Sequence, residues 1–218
     1  MDAKLFFMAI LIPSLLAACP ESSVAGEPMK SIQLPPPQTD GGRPLMQVLK
    51  DRHSTREYST QKLSDQEMSN LLWAAFGINR PDKGGRTAPS ARNSQEIDIY
   101  IARADGLYLY DAKNNQLKPV LAEDIRAATG MQPFVKEAPI DLIYVADFTK
   151  TSGSEEDKIL YSAADTGFIA ENVYLFCSSE GLAVVVRGSV DRMALAKTMK
   201  LRNEQKIILS QTVGYPKK

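Results

Sequence analysis

The chain has 218 residues, and its hydrophobic content of 44% is enough for a single domain with a substantial core. Lysine plus arginine and aspartate plus glutamate are equal at 26 each, so no overall field favours nucleic acid or an anionic membrane as a partner. One histidine (His53) and two cysteines (Cys19 and Cys177) argue against a Ser-His-Asp triad, a metal site and a disulfide framework.

Residues 1–18 have the pattern of a signal peptide. Their apolar run is interrupted by Pro13 and is too short to span a bilayer comfortably. Leu16-Ala17-Ala18-Cys19 resembles a bacterial lipobox, in which the cysteine becomes the lipidated first residue of the mature protein. Ordinary cleavage near Ser23-Val24-Ala25 is the alternative. Both interpretations predict export, either to the periplasm or to a membrane surface through a lipid anchor at Cys19.

Residues 19–43 follow this segment and are rich in proline and glycine. They include Pro35-Pro36-Pro37 and Gly41-Gly42, with little periodic apolar content. Such a segment cannot bury enough surface to offset its ordering entropy. The sequence therefore predicts a flexible tether that leads to a folded domain of residues 44–218.

A short helix over residues 44–50 delivers the first motif, Arg52-His53-Ser54-Thr55-Arg56. Two arginines at a spacing of four, with a hydroxyl between them, suit an anion that has several acceptor oxygens. Each guanidinium offers a planar fork of donors, and the serine adds a neutral donor. The alternative is a solvated basic turn at a helix C-terminus, where cations also complement the helix dipole.

The next elements flank a second motif. Ser64-Asp65-Gln66-Glu67 is a capping box that begins a helix ending near Gly77, with Trp73 as a core residue. After a loop over residues 80–86 comes the second motif, Pro89-Ser90-Ala91-Arg92-Asn93-Ser94-Gln95. Strands are then predicted over residues 97–101, 107–110, 140–146, 183–186 and 206–213, and short helices over 121–129 and 191–199.

The longest predicted helix runs from Ser154 to about Glu180, with acids in its first turn as the helix dipole prefers. Apolar side chains occur on more than one of its faces, so it must be covered on more than one side. A single domain can do this, but a helix-to-helix homodimer does it more easily, because small residues let another backbone approach: Ala163, Ala164, Gly167 and Ala170. Cys177 is expected to be a buried small hydrophobe.

Four motifs in this order resemble the FMN-dependent nitroreductase superfamily over roughly residues 45–218. They are Arg-x-Ser-x-Arg at 52–56, Pro-Ser-Ala-x-Asn-x-Gln at 89–95, Glu-Gly-Leu at 180–182 and Gly-Tyr-Pro at 214–216. Each is weak by itself, whereas all four at this spacing are specific. The resemblance implies an α+β fold with a central, mostly antiparallel sheet flanked by helices, and a homodimer that forms about the long helix.

The resemblance also implies FMN as the cofactor, bound in each of two grooves between subunits. Arg52 and Ser54 would hold its phosphate, and Arg56 would reach the pyrimidine edge of the flavin. The Glu180-Gly181 backbone would lie near flavin N5, and residues 89–93 would come from the partner subunit. Many relatives carry a phosphate-binding basic residue after Gly-Tyr-Pro, for which Lys217 or Lys218 would substitute. The candidate cofactor-binding residues are Arg52, His53, Ser54, Arg56, Pro89, Ser90, Ala91, Arg92, Asn93, Glu180, Gly181, Leu182 and Lys217.

The function that this resemblance implies is hydride transfer through flavin N5 to a small nitroaromatic, quinone or similar conjugated acceptor. The cofactor would carry the reaction, so no catalytic side chain is expected, and Arg56 would tune the flavin. Two alternatives are a flavin dehydrogenase or oxidase of a ring or amine substrate, and a non-catalytic FMN-binding envelope lipoprotein. The hairpin at residues 106–110 is similar to the azoline-oxidising branch. An exported member would need an electron donor other than the cytoplasmic nicotinamide pool.

Overall fold

The computed structural model describes Met1 and residues 29–218. The predicted signal segment, the lipobox and Cys19 lie outside the described residues, so they stay predictions. Within the described part of the chain, no helix has the length and apolar content needed to cross a bilayer.

Nine strands and four α-helices make up the described domain. In chain order the strands are β1 (Ile32–Gln33), β2 (Ile78–Arg80), β3 (Gly85–Arg86), β4 (Ile97–Arg103), β5 (Gly106–Asp111), β6 (Gln116–Leu121), β7 (Ile140–Asp147), β8 (Ala183–Arg187) and β9 (Gln205–Gly214). The helices are α1 (Leu45–Asp51), α2 (Asp65–Phe76), α3 (Glu155–Glu180) and α4 (Arg192–Thr198).

Seven of the strands form one antiparallel sheet in the spatial order β1-β6-β5-β4-β7-β9-β8, while β2 and β3 pair separately. Every residue of β7 is buried, because both faces of the sheet are covered. Alternate side chains of β4 and β7 pack with α2 and α3 on one face, and the others pack with α4 on the opposite face. The α+β fold with a central antiparallel sheet is therefore confirmed.

The helix ends form as their sequences predict. At the start of α2, the Glu67 amide donates to Ser64 Oγ (3.2 Å) while the Ser64 amide donates to the Glu67 carboxylate (2.7 Å). A second capping box, with Ser154 and Asp157, begins α3. This helix ends at Gly181, whose φ of +71° is a conformation that favours glycine. The long predicted helix is thus confirmed at both ends.

A buried ion pair ties β7 to β8. Arg187 Nη2 donates to Asp141 Oδ1 at 2.7 Å, and the two side chains are 3% and 0% exposed. Arg187 Nη1 also donates to the Thr129 carbonyl at 2.7 Å, which fixes the segment before β7. A Cβ atom at Gly130 would lie 1.7 Å from Arg187 Nη1, so only glycine leaves room for the guanidinium there.

Three predictions about local structure are wrong or incomplete. The helix predicted over residues 121–129 is wrong: strand β6 extends to Leu121 by pairing with β5, and only a 3-10 turn follows at Arg126–Ala128. The Asp124 carboxylate stabilises that turn, because it accepts from the Arg126 amide at 3.1 Å. The loop at residues 80–86 contains the β2–β3 ladder. Trp73 is only half-buried, and its indole N–H donates to the Ile78 carbonyl at 3.3 Å.

The segment predicted as a flexible tether is ordered where it precedes the domain. Strand β1 pairs with β6, and the next residue, Leu34, is buried. The Gln38 amide donates to Asn70 Oδ1 at 2.8 Å, so the chain continues along α2. Backbone pairing and side-chain amides on the domain therefore compensate for the low apolar content, and the tether prediction is wrong for this part of the segment.

The buried pair gives a prediction about stability. Arg187→Ala leaves the Asp141 carboxylate buried without its cation, so we expect the free energy of unfolding to fall by about 3–5 kcal/mol. Lys150→Ala, which removes a partly exposed ion pair with Asp98, is the matched control and should cost about 0–1 kcal/mol. Urea unfolding of the three proteins checks this. Equal losses in both variants would contradict a special role for the buried pair.

Candidate functional site

The first motif is an extended segment that runs from the end of α1 beside the edge strand β8. The Thr55 amide donates to the Val184 carbonyl at 2.9 Å, which holds the motif against this strand. The Lys217 amide donates to the Glu57 carbonyl at 3.3 Å. The backbone of Lys217 thus lies beside Glu57, the residue after the first motif, and the predicted contact of Lys217 with the phosphate stays a prediction.

Tyr174 of α3 is the side chain that orients this motif. Its hydroxyl accepts from the Val186 amide (2.9 Å) and is hydrogen-bonded to Ser54 Oγ (2.8 Å). The Arg52 guanidinium lies over the Tyr174 ring, 5.2 Å from its centroid. With the amide occupying one lone pair, the Tyr174 proton can go to Ser54, which leaves the Ser54 proton free for an anion.

The positive charges of the motif are scarcely neutralised. Arg56 is exposed and makes no hydrogen bond or ion pair with any described residue. Arg52 Nε is 4.0 Å from the Glu171 carboxylate, and both side chains are partly exposed, so this contact is weak. His53 is also exposed, and its Nδ1 is 2.7 Å from the Asp51 carbonyl oxygen. Two guanidinium groups therefore remain available to an external anion.

The Glu-Gly-Leu motif borders the same region. Glu180 is exposed, Leu182 is buried, and a Cβ added at Gly181 would meet nothing within 4 Å, so the backbone there is open to a ligand. A cavity of about 210 Å³ is lined by both motifs, including His53 and Gly181, together with Pro216 of the Gly-Tyr-Pro motif. Three of the four motifs therefore meet at one place in a single chain.

The second motif forms a tightly held loop against the middle of α3. Arg92, Asn93 and Gln95 adopt left-handed φ angles of 56°, 55° and 49°, which are unusual for residues other than glycine. Hydrogen bonds hold this conformation. The Gln95 amide donates to Ser90 Oγ at 3.0 Å, and the Gln95 side chain donates to the Gly84 carbonyl at 2.9 Å. Strained backbone of this kind clusters at functional sites.

The second motif does not join the other three within one chain. Its Ala91 amide donates to Asp165 Oδ2 at 2.8 Å, whereas the first motif contacts Tyr174. These two positions on α3 are nine residues apart, about 14 Å along the helix axis. No residue of 89–93 lines the cavity described above. The expectation that this loop serves a partner's site is compatible with that separation and stays a prediction.

Buried acids lie beneath the second motif. Glu96 is 1% exposed; Ser162 Oγ donates to its Oε1 at 3.0 Å, while Oε2 has no hydrogen-bond partner among the described residues. Burial raises the pKa of Glu96, and the neighbouring Asp165 carboxylate raises it further. Glu96 therefore lies buried close to Asp165, the group that also accepts from the Ala91 amide.

Sequence reasoning missed Tyr174, Glu96 and Asp165. A tyrosine on a helix interior signals a hydroxyl that needs a partner, but the partner is over a hundred residues away in the chain. The two acids carry no motif, and only burial distinguishes them from surface acids. Among residues 29–218, no three histidine, cysteine or acidic side chains are grouped as metal ligands would be.

The acid pair gives a prediction about pH. Because the pKa of Glu96 in the folded protein is raised above its ordinary value of 4.5, its stabilising contribution is complete below that value and is lost as pH rises through the raised pKa. Glu96→Gln cannot titrate and keeps an oxygen that can accept from Ser162 Oγ, so we expect a flatter stability profile. Urea unfolding between about pH 4 and pH 8 measures it.

The exposed Glu123→Gln is the control and should keep the wild-type profile. A Glu96→Gln profile as steep as that of the wild type would contradict the raised pKa of Glu96.

The comparisons with known proteins agree with the motifs. The sequence model of the Nitroreductase family matches residues 49–215. A Methanocaldococcus jannaschii protein, provisionally named as a nitroreductase, is 31% identical over 169 residues, which are 72% of this chain and 85% of the relative. A crystal structure from Ralstonia eutropha JMP134, also a provisional nitroreductase, is 44% identical with a TM-score of 0.84, covering 88% of this chain and 92% of that one.

A third structure, from Desulfovibrio desulfuricans and solved in complex with FMN, shares the fold at 21% identity and a TM-score of 0.60, over 82% of this chain and 89% of that one. The family assignment rests on the first three comparisons, each of which covers more than two thirds of this chain. Together with the four motifs and the antiparallel sheet, they show that the chain belongs to the nitroreductase family.

Proposed function

We propose that this member of the nitroreductase family, an FMN-dependent oxidoreductase, passes electrons to nitroaromatic, quinone or similar conjugated acceptors. The observation that carries the proposal is the pair of guanidinium groups, Arg52 and Arg56, which have no strong internal partners and lie on the segment that runs beside β8. Titration of the purified protein with FMN, followed by reduction and a panel of these acceptors, tests it.

The residues at the site fit FMN. A phosphate monoester is a dianion with several acceptor oxygens, and the site offers a guanidinium, a hydroxyl whose proton is free, and the nearby Lys217. A flat ring system needs backbone without side-chain bulk, and the space around Gly181 is open. The donor set and the open helix end therefore match the two halves of the cofactor.

Each residue then has a physical task. Arg52, Ser54 and Lys217 bind the phosphate, and Tyr174 orients Ser54 while supporting the Arg52 guanidinium. Arg56 supplies fixed positive charge where reduction adds negative charge, so it favours the reduced cofactor. When bound, FMN supplies the hydride chemistry itself. The protein orients the reactants, which is consistent with the lack of a catalytic histidine, as His53 only contacts a backbone carbonyl.

A homodimer would complete the site. Several large apolar side chains of α1 and α3 are exposed in a single chain, more than a monomer usually leaves in contact with water: Leu45, Met46, Leu49, Ile159, Leu160, Tyr161 and Phe168. The small residues Ala164 and Gly167 lie on the same exposed side of α3. A second copy packed on this face would cover it and would bring its residues 89–93 towards the partner's cavity.

The protein is further proposed to act outside the cytoplasm, with or without a lipid anchor at Cys19. The apolar segment and lipobox of the sequence support this location. The electron donor would then be a quinol, a redox partner or the substrate itself. The alternative donor is a soluble nicotinamide, which is a cytoplasmic reductant.

The phosphate assignment predicts loss of FMN on substitution. Arg52→Ala combined with Ser54→Ala removes a charge-assisted bond and a hydroxyl donor, so FMN affinity should fall on the order of 100-fold. Fluorescence titration measures this. Lys113→Ala with Lys197→Ala, two exposed cations on the β5–β6 turn and on α4, is the control and should bind FMN normally. Full occupancy of the Arg52/Ser54 variant would refute the assignment.

The dimer proposal predicts a change of mass. Phe168→Asp places a charge in the exposed apolar face of α3, so light scattering should report a monomer, and FMN should be lost with the partner's loop. Met131→Asp, at another exposed apolar side chain outside α1 and α3, should leave the mass unchanged. A Phe168→Asp protein with the same mass as the wild type would rule out this interface.

The location proposal predicts slow use of nicotinamides. The FMN-loaded protein should oxidise NADH and NADPH slowly in steady state, while a reduced quinone analogue or dithionite reduces it readily. Stopped-flow absorbance at the flavin band compares the donors directly. Rapid NADH or NADPH turnover would contradict a function outside the nicotinamide pool, but would leave the FMN assignment intact.

A further inference from the structure

A basic surface lies around α4, and the proposed redox site does not use it. Two of its cations, Arg192 and Lys206, also border the first turns of α3 at Glu155 and Ile159. It consists of five exposed cations on α4, on the segment that follows it and at the start of β9: Arg192, Lys197, Lys200, Arg202 and Lys206. They surround a shallow cavity of about 680 Å³ whose lining includes no acidic side chain of the described residues. Only two acids, Asp191 and Glu204, occur between residues 191 and 206. The whole chain has no net charge, so this concentration is local.

Most of this charge is available to a partner. Arg202 pairs with the Asp147 carboxylate at 2.6 Å, and Arg192 donates only to backbone carbonyls, which do not neutralise it. Lys197, Lys200 and Lys206 make no hydrogen bond or ion pair with the described residues. Four of the five cations are therefore not neutralised within the chain.

The surface is held on a rigid base. Leu195 and Met199 of α4 are buried and pack with Ile207 against the sheet. At the end of α4 the Leu201 amide donates to the Ala196 carbonyl at 3.0 Å, and this turn places Lys200 at a φ of +54°. Glycine is the usual residue in that conformation, because a side chain is strained there. The chain carries a lysine at this position in spite of the strain, and the lysine charge points outward.

We propose that this basic surface docks the domain on an anionic phospholipid bilayer. Exposed lysines near an anionic leaflet are attracted to its surface potential, and Met193, 85% exposed between Arg192 and the remaining cations, offers an apolar side chain to the interfacial region. The cavity lining contains no aromatic side chain for base stacking, which single-stranded nucleic-acid sites use. Docking through α4 leaves the motifs at β8 and α3 accessible, because they lie on the other side of the sheet.

The proposal depends neither on FMN binding nor on lipidation of Cys19. The test is therefore done with the full chain carrying Cys19→Ser, so that no attached lipid contributes. Co-flotation is measured with vesicles of phosphatidylcholine alone and with vesicles in which one third of the lipid is phosphatidylglycerol, at low and high salt. We expect binding to the anionic vesicles, and we expect high salt to reverse it.

The charge-reversed variant is Lys197→Glu/Lys200→Glu/Lys206→Glu. Since each lysine contributes roughly fivefold to binding at an anionic surface, its affinity for the anionic vesicles should fall on the order of 100-fold. The matched control is Lys83→Glu/Lys113→Glu/Lys136→Glu, three exposed lysines outside the basic surface that change the net charge equally. The control should retain most of the binding. Both variants share the same N-terminal segment, so the difference between them isolates the basic surface.

Three outcomes would overturn the proposal: equal flotation with neutral and anionic vesicles, equal losses in the two triple variants, or binding of a single-stranded oligonucleotide without any preference for anionic vesicles. Thermal melting of each variant reports whether it is folded. If the charge-reversed protein does not fold, the test is the salt dependence of vesicle binding by the chain with unaltered lysines. Binding that is insensitive to salt would itself contradict electrostatic docking.

Discussion

A single helix carries the contacts on which the candidate site depends. The 26 residues of α3 extend about 39 Å, far enough to support the second motif at Asp165 and the first motif at Tyr174. The sheet covers only one side of this helix, and its other side exposes Leu160 and Phe168. Helix α3 therefore fixes the distance between the first and second motifs and leaves an apolar face uncovered. Both features have a common explanation if two copies of the chain exchange their loops across that face.

The sequence contained most of the fold, because its signals are local. Each of these signals lies within a few residues of the chain: alternating apolar residues, capping boxes and an acidic first turn. The strands and helices that they predict are present in the structure. The errors occurred where tertiary contacts determine the local structure. Residues 121–129 have a helical composition, but Leu121 ends strand β6 and the residues after it turn at Asp124. Residues 32–38 are held by strand and amide contacts that no periodicity reveals.

The candidate site was predictable to the extent that it consists of motifs. His53 and Thr55 of the first motif line one cavity with Gly181 of the third and Pro216 of the fourth. Arg52, Ser54 and Arg56 do not line that cavity, and their role in binding stays a prediction. The residues that orient them were not predictable. Tyr174 acts through hydrogen bonds to the Val186 amide and to Ser54, which is 120 residues away in the chain, and Glu96 differs from a surface acid only by its burial. Positioning residues of this kind take part in function through the fold rather than through a pattern in the chain.

The buried thiol has a consequence for where such a protein can work. Cys177, the one cysteine among the described residues, is buried within α3, and burial raises its pKa. Thiol–disulfide exchange requires an accessible thiolate, and this sulfur offers neither access nor charge. A chain folded in an oxidising compartment would thus keep a reduced cysteine there without the help of a reductant. The same shielding prevents covalent cross-linking of two copies through this position, so any pairing about the helix has to be held by packing.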